Sequence, residues 1–155
     1  MKKFLSVLVI GGIALAGAAS AESHSEALGK AVKARQATMQ LYAFNLGILG
    51  GMAKGAMEYN ADAASAAAGN LVKLSSQNAM AYWPKGSAQG EIDGSRALPA
   101  LWEDMAGVGQ AAGAMKEAAV AMEAAAGTDL ASLQGAMGAL GAACGGCHKA
   151  YRAAE

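Results

Sequence analysis

Apolar residues recur at alternating steps of four and three through the second half of the chain. The clearest series runs through Leu101, Met105, Val108, Ala112, Met115, Ala119 and Met122. This spacing places one apolar stripe along a helix, as in a seam between packed helices. Gly127 is a natural stop for this helix, and Thr128 is a candidate cap for the next one.

The same alternation continues almost to the C-terminus and predicts a further helix. Its stripe consists of Leu130, Leu133, Met137, Leu140, Cys144, Cys147 or His148, and Tyr151. Composition agrees with this prediction, because alanine, methionine, leucine, lysine and glutamate dominate while β-branched residues are sparse. The C-terminal segment is therefore expected to be one continuous amphipathic helix.

Two more helices are predicted in the first half of the chain. The first has small or apolar residues at Leu28, Val32, Met39, Ala43, Leu46 and Leu49 and is expected to stop near residues 50–51. The second starts with Asn60 or Asp62 as its N-cap. One face of this helix carries Ala64, Ala67, Leu71, Leu74, Asn78 and Ala81.

A long connection separates the two halves. The segment Trp83–Pro99 contains both prolines and three glycines, which is typical of a loop. Four amphipathic helices with two short links and one long one predict an all-α fold, an antiparallel four-helix bundle. Glycines inside the helices each cost roughly 0.5 to 1 kcal/mol relative to alanine. They either let helices approach closely or leave room for a bulky non-protein group, and the sequence leaves both explanations open.

The N-terminus has the pattern of an export signal. Residues 1–21 combine two lysines, an apolar run and a small-residue cleavage site, so we expect a cleaved signal peptide and a single mature domain over residues 22–155. The apolar run over residues 4–16 is shorter than the roughly 20 residues that a spanning helix needs. The mature protein is therefore expected in the periplasm, without a membrane anchor.

Net charge narrows the range of partners. Removal of Lys2 and Lys3 reduces the 12 basic residues to 10, against 12 acidic residues, for a formal charge of −2. This charge argues against nucleic acid and acidic membrane surfaces as partners.

The only two cysteines of the chain and one of its two histidines lie within Cys144-Gly145-Gly146-Cys147-His148. A thioredoxin-type dithiol belongs in a βαβ context, and no strand is predicted here. Structural zinc needs a fourth ligand, and the only other histidine is His24, near the start of the mature chain. A haem-free structural or metal-binding bundle remains an alternative.

Covalent haem c agrees best with this pentapeptide. Positions i and i+3 lie on one face of a helix, so Cys144 and Cys147 can both form thioethers with the haem vinyl groups. His148, in the next position, can then direct its imidazole toward the iron. Haem c is attached after export, which agrees with the signal peptide.

Three segments carry a resemblance to a known family. They are residues 144–152, CGGCHKAYR; residues 33–36, KARQ, followed by Met39; and residues 96–102, RALPALW. Over essentially the whole mature chain, the sequence resembles the class II c-type cytochromes, which include cytochrome c′ and its low-spin relatives. A haem site at the C-terminus is characteristic of this class.

The resemblance implies roles for individual residues. Cys144 and Cys147 would hold the haem, and His148 would be the proximal iron ligand. Arg152 would lie beside this histidine. The polar residues expected at the haem edge, where a cation can neutralise a propionate, are Arg35, Gln36 and Arg96.

Two functions depend on Met39, which occupies the position where this family places a residue over the distal face of the haem. If its sulfur binds iron, the haem is six-coordinate, and the Met/His pair suits a one-electron carrier that serves redox partner proteins. If it only packs there, the iron is five-coordinate and can bind NO or CO. Members of the family carry methionine at this position in both cases.

The sequence shows no pair of nucleophile and base, no phosphate-binding loop and no second metal site, so we expect no enzymatic activity. The resemblance leaves two oligomeric states open, because cytochrome c′ typically forms homodimers through its first two helices whereas low-spin members include monomers.

Overall fold

The computed structural model describes residues 14–154, with side chains for residues 22–154. The first helix, α1, spans Ala14–Ala53. Of the predicted signal peptide, residues 1–13 lie outside the described chain. No helix in the described residues is long and apolar enough to cross a membrane.

Five α-helices and one 3-10 helix are present in residues 14–154. After α1 come α2 (Ala61–Ser75), a 3-10 helix (Ala79–Tyr82), α3 (Ala100–Glu103), α4 (Met105–Ala126) and α5 (Leu130–Tyr151). Within residues 14–154 the only β-type pairing is an isolated antiparallel bridge between Ala97 and Arg152. The prediction of an all-α fold is confirmed.

The four long helices form a ring. Helix α1 contacts α2 and α5, and α4 contacts the same two helices. The Gln134 side chain, near the start of α5, donates to the carbonyl of Ala53 at the end of α1 over 2.8 Å. Tyr59, just before α2, donates to the carbonyl of Ala126 at the end of α4 over 2.9 Å. Neighbouring helices therefore run antiparallel, as in the predicted four-helix bundle.

Carboxylate and amide side chains cap the starts of three helices. Asn60 accepts a hydrogen bond from the Ala63 backbone at 2.9 Å, so Asn60 rather than Asp62 is the N-cap of α2. The predicted cap at Thr128 is wrong, because Asp129 accepts from the Ser132 backbone at 2.7 Å. A carboxylate at this position also interacts favourably with the positive end of the helix dipole.

Helix boundaries differ from the prediction in three further places. Helix α1 continues past residues 50–51 to Ala53, and the Met57 side chain folds back against Gly51. Helix α2 ends at Ser75, so Asn78 and Ala81 do not lie on it. The third predicted helix is interrupted at residue 104, which separates α3 from α4.

The packed core fills one end of the bundle. It consists of Leu49, Met52, Ala64, Ala67, Ala68, Leu71, Ala118, Ala119, Met122, Ala126, Leu133 and Leu140. These residues come from the ends of α1 and α4 and the beginnings of α2 and α5. The core therefore begins beside the two short links, over residues 54–60 and 127–129, and ends at Leu140, one turn before the cysteine motif of α5.

The long loop, residues 83–99, packs against α1 at the opposite end of the bundle. Gly86 and Gly94 have φ angles of 85° and 76°, a backbone conformation that favours glycine. Ser87 and Ser95 are buried, which is unusual for loop residues. This loop lies between the first helix and the last turn of α5.

Candidate haem site

Two thiols and an imidazole lie in one turn near the end of α5. Cys144 and Cys147 are free and half-buried, and their spacing places them on one side of the helix. Burial raises the pKa of both thiols, and the charge of Cys144 adds to the rise at Cys147. His148 is half-buried beside them.

Residues of the facing helices approach the first thiol. The Sγ of Cys144 lies 3.8 Å from the Sδ of Met115 on α4. Burial and the charge of Cys144 raise the pKa of Tyr42, on α1, to about 12. Cys144 is thus directed into the space between α1, α4 and α5.

This end of the bundle has no complete protein core. On the apolar stripe of α4, Ala119 and Met122 are 0% exposed, whereas Met105 is 41% exposed. Ala112, between them on the same stripe, is also exposed. Residues three and four positions apart share a helix face, so the same face loses its packing partners toward the cysteine motif.

Met39 lies at the open end of the bundle. Helices α1 and α5 run antiparallel, and Tyr42 is close to Cys144. Because both helices rise by about 1.5 Å per residue, one turn back along α1 corresponds to one turn forward along α5. Met39 therefore lies at the level of His148, and its side chain is 41% exposed rather than packed in the core.

Arginine side chains surround the imidazole. Burial lowers the pKa of His148, and the positive charges of Arg152 and Arg96 lower it further. These three residues, together with Lys149, line a cavity of about 570 Å³. The neutral imidazole, which this environment favours, is the form that binds metal ions.

The loop and the end of α5 are joined by backbone hydrogen bonds. The amide of Leu98 donates to the carbonyl of Tyr151, and the amide of Ala153 donates to the carbonyl of Arg96, both over 2.9 Å. The guanidinium of Arg96 also donates a hydrogen bond to the carbonyl of Ala153 over 2.8 Å. Arg96 is consequently fixed at the edge of the His148 cavity.

The structure places Arg35 and Gln36 against the loop. The terminal nitrogens of Arg35, which is 4% exposed, donate to Ser87, Ser95 and the carbonyl of Tyr82. Gln36 donates to the carbonyl of Gly94 over 2.8 Å. Neither residue is among those that line the His148 cavity. Arg35 also forms no salt bridge with a carboxylate of residues 22–154.

A second cavity explains some of the helix glycines. It has a volume of about 480 Å³ and lies between α1 and α5. Its lining includes Gly47, Gly50 and Gly141 as well as the Met137 side chain. A Cβ atom added at Gly47 or Gly141 would meet nothing within 4 Å, so these two glycines border open space rather than a close helix contact.

The chemistry of the donor set fits haem c. Two thiols on one helix face suit two thioethers, a neutral imidazole suits the iron, and the open apolar end suits a large flat group. Arg96, half-buried, and Arg152, exposed, both line the His148 cavity and suit the propionates, because a guanidinium can pair with a carboxylate. Among residues 22–154, no three His, Cys, Asp or Glu side chains form a group that could hold a metal ion by themselves.

A model of the cytochrome c′ family matches residues 30–152. The chain belongs to the cytochrome c′ family. Its cofactor is covalently attached haem c, as in its cytochrome relatives, and the protein is a class II c-type cytochrome of electron transport. The resemblance, the fold and the cofactor expected from the sequence are confirmed.

Individual relatives agree with this assignment. The chain is 54% identical to cytochrome c-554 of Cereibacter sphaeroides over 121 residues, which cover 78% of this chain and 79% of the relative. The structure of cytochrome c′ from Rhodobacter Spheriodes superposes with a TM-score of 0.80 at 34% identity, covering 83% of this chain and 98% of the other. A ferrous variant of the Alcaligenes xylosoxidans cytochrome c′ with bound NO gives a TM-score of 0.72 at 33% identity and covers 83% and 97%.

Sequence reasoning missed four residues around the site. Met115 was placed only on the apolar stripe of its helix, although the steps of four and three could have assigned it to the haem side. Tyr42 lies one turn after Met39, a spacing that could have indicated it. Ser87 and Ser95 had no recognisable pattern, because their contact with Arg35 depends on the path of the loop.

Proposed function

We propose that the protein is a periplasmic one-electron carrier without catalytic turnover. Cys144 and Cys147 hold the haem, His148 is the proximal ligand and Met39 is the distal ligand. When bound, the haem supplies an iron that accepts and releases one electron. The 54% identity to cytochrome c-554 supports this function.

The level of Met39 in the bundle is the single observation that carries the proposed ligand set. The influence of the Cys144 charge on the pKa of Tyr42 supports this level, because in antiparallel helices the preceding turn of α1 then corresponds to the turn that bears His148. The Met39 side chain is 41% exposed, so it is not held by the packed core. A Met/His pair raises the reduction potential and suits outer-sphere electron transfer.

Four polar residues complete the proposed haem pocket. Arg96 and Arg152 place positive charge at the cavity around His148, where they neutralise propionate charge. Arg35 and Gln36 add polar groups from α1 at the haem edge, and the positive charge of Arg35 is buried behind the loop.

An absorption spectrum tests this function. The purified protein is measured oxidised and reduced, each with and without CO. Sharp α and β bands in the reduced state that are insensitive to CO are expected for a Met39-ligated carrier. A broad high-spin spectrum that shifts with CO would refute Met39 ligation, and a lack of haem absorbance would refute the entire assignment.

A five-coordinate gas-binding protein is the second candidate. The NO-bound structure of the Alcaligenes xylosoxidans relative favours it, because that protein shares this fold. In this case Met39 packs over the distal side without binding iron. The CO arm of the same experiment separates the two functions.

We also propose that the mature protein pairs with a second copy through α1 and α2. Leu41 and Phe44 on α1 are 52% and 67% exposed, more than expected for large apolar residues of an isolated helix bundle. Sedimentation of the wild type and of Phe44→Glu tests this pairing. Val120→Glu, on α4, is the matched control, and a monomeric wild type would refute the proposal.

A further inference from the structure

Arg35 is a buried cation whose hydrogen bonds all go to uncharged groups. One terminal nitrogen donates to the hydroxyl of Ser87 over 2.8 Å and to the carbonyl of Tyr82 over 3.3 Å. The other donates to the carbonyl of Ser87 over 2.6 Å and to the hydroxyl of Ser95 over 2.7 Å. One side chain thus ties three positions around the long loop to α1.

Aromatic rings enclose the same guanidinium. Its carbon lies 4.7 Å from the centre of the Trp83 ring and 6.0 Å from that of Trp102. The indole nitrogen of Trp102 donates to the carbonyl of Trp83 over 3.0 Å, which fixes the two rings relative to each other. A planar guanidinium can stack on a ring and still donate in its own plane, whereas a lysine ammonium cannot replace both interactions.

The hydroxyls of Ser87 and Ser95 extend this hydrogen-bond network along the loop. Ser87 donates to the carbonyl of Pro84 over 2.7 Å, and Ser95 donates to the carbonyl of Ser87 over 2.8 Å. Both serines therefore accept from Arg35 and donate to loop carbonyls. If the guanidinium is removed, the buried hydroxyl of Ser87 loses its donor and that of Ser95 keeps only the Ala97 amide at 3.4 Å, which costs more than the loss of an exposed hydrogen bond would.

The constrained loop leads directly to the end of the haem-bearing helix. Ser95 immediately precedes the segment 96–98, which pairs with residues 151–153 through the bridge between Ala97 and Arg152. The amide of Arg152 in turn donates to the carbonyl of His148 over 3.0 Å. Arg35 and the last turn of α5 are thus linked through one continuous series of hydrogen bonds and three residues of chain.

We propose that Arg35 is a positioning residue for His148, acting through the long loop and its bridge to the end of α5. It holds Ser87 and Ser95, the loop holds residues 151–153, and these residues hold the turn that carries the imidazole. This role rests on the proposed function of His148 as iron ligand. This role is separate from the neutralisation of a haem propionate, because it acts through the hydrogen bonds between the terminal nitrogens of Arg35 and the loop.

Hydrogen exchange of the haem-loaded protein, followed by mass spectrometry, tests the link. Arg35→Lys keeps the charge but loses the planar fork, and Ser95→Ala removes one acceptor with little change in volume. Lys33→Arg, at an exposed position on the same helix, is the matched control. Loss of one hydrogen bond to a charged group is expected to accelerate exchange about tenfold or more in segments 83–99 and 149–154 together. Exchange in α2 and the second half of α4 stays unchanged.

Electron paramagnetic resonance of the ferric protein supplies the second readout, since its g values depend on the orientation of the axial imidazole. The proposal expects altered g values in Arg35→Lys and Ser95→Ala and wild-type values in Lys33→Arg. Faster exchange in the loop alone, with wild-type g values, would overturn it. Uniformly faster exchange in Ser95→Ala would overturn it as well, since Arg35 would then contribute only to global stability.

The two proposals fail in different ways. If His148 is not an iron ligand, the wild-type spectrum itself lacks the signature of imidazole ligation. If only the positioning role of Arg35 is wrong, the wild type keeps this signature and both variants share it. Ser95→Ala keeps the test decisive even if Arg35→Lys does not fold.

Discussion

The hydroxyl of Tyr151 donates to the Oδ2 atom of Asp104 over 2.7 Å, which connects the last residue of α5 to the N-cap of α4. Asp104 also accepts from the backbone amide of Gly107 over 2.8 Å. The hydrogen bond from Tyr151 is the largest cause that lowers the pKa of Asp104, followed by that from Gly107. The end of the haem-bearing helix is therefore tied to two neighbours, the long loop and the start of α4.

Tyr151→Phe is expected to reduce thermal stability near neutral pH by removing this hydrogen bond. A lowered pKa of a carboxyl group contributes stability above the unfolded pKa, and this contribution disappears as the pH falls through the folded value. The difference in Tm between wild type and variant should therefore shrink well below pH 3.8, the ordinary pKa of Asp104. Thermal unfolding across an acid series measures it.

Tyr82→Phe is the matched control for this prediction, because the Tyr82 hydroxyl makes no hydrogen bond with residues 22–154. It should leave the pH dependence of Tm unchanged. A difference between Tyr151→Phe and wild type that stayed constant down to the lowest pH would contradict the coupling to Asp104.

Two glycines on α5 offer stabilising substitutions. A Cβ atom at Gly135 or Gly138 would meet nothing within 4 Å, and both positions are exposed on the helix. Alanine has the higher helix propensity, so each substitution should raise the free energy of unfolding by about 0.5 to 1 kcal/mol. Denaturant titration measures the gain.

Gly107→Ala should behave oppositely, although Gly107 also lies in a helix. A Cβ atom there would collide with the carboxylate of Asp104 and the hydroxyl of Tyr151. The substitution therefore displaces the hydrogen bond between them and should lower stability. An increase equal to that of Gly135→Ala would show that this contact does not constrain α4.

Met39→Ala tests the distal ligand. If the sulfur binds iron, its removal should convert a CO-insensitive spectrum into a CO-reactive one and lower the reduction potential. Met57→Ala is a suitable control, because Met57 is also exposed but lies in the link at the far end of the bundle. Identical spectra and potentials in wild type and Met39→Ala would exclude ligation.

Leu133→Ala tests whether the packed end of the bundle can be destabilised without a change at the haem end. Leu133 is 0% exposed in the core, and truncation of such a leucine costs about 2 to 5 kcal/mol. Stability should fall by this amount while the haem spectrum stays as in wild type. Leu130→Ala, 36% exposed and one turn earlier, should cost much less. A changed spectrum in Leu133→Ala would contradict the separation.

Local patterns predicted the bundle because each long helix carries its own apolar stripe. The haem motif was equally visible, since Cys144, Cys147 and His148 lie within one helical turn. The break at Asp104 was not, because the steps of four and three continue from Leu101 through Met105 across it. Periodicity records which side of the chain is apolar, and it does not register a break in the helix between two residues of the same stripe.

The contacts of Arg35 could not be derived from the sequence for a different reason. Its partners Ser87 and Ser95 are separated from it by 52 and 60 positions, and they become acceptors only through the turns of the loop. The sequence therefore indicated a cation near the haem and no more. Burial of a charged residue among neutral partners is a property of the tertiary structure.

The one-ended core has a consequence for maturation. Its buried leucines, methionines and alanines need no cofactor to pack, so the four helices can be held in order before haem is attached. We therefore expect both thiols to be presented for haem attachment by a partly assembled bundle rather than by an unfolded chain. Covalent attachment of haem would then complete the end of the bundle that carries the cysteine motif, after the packed end has formed. The apoprotein should therefore retain helical content, which the packed end supports.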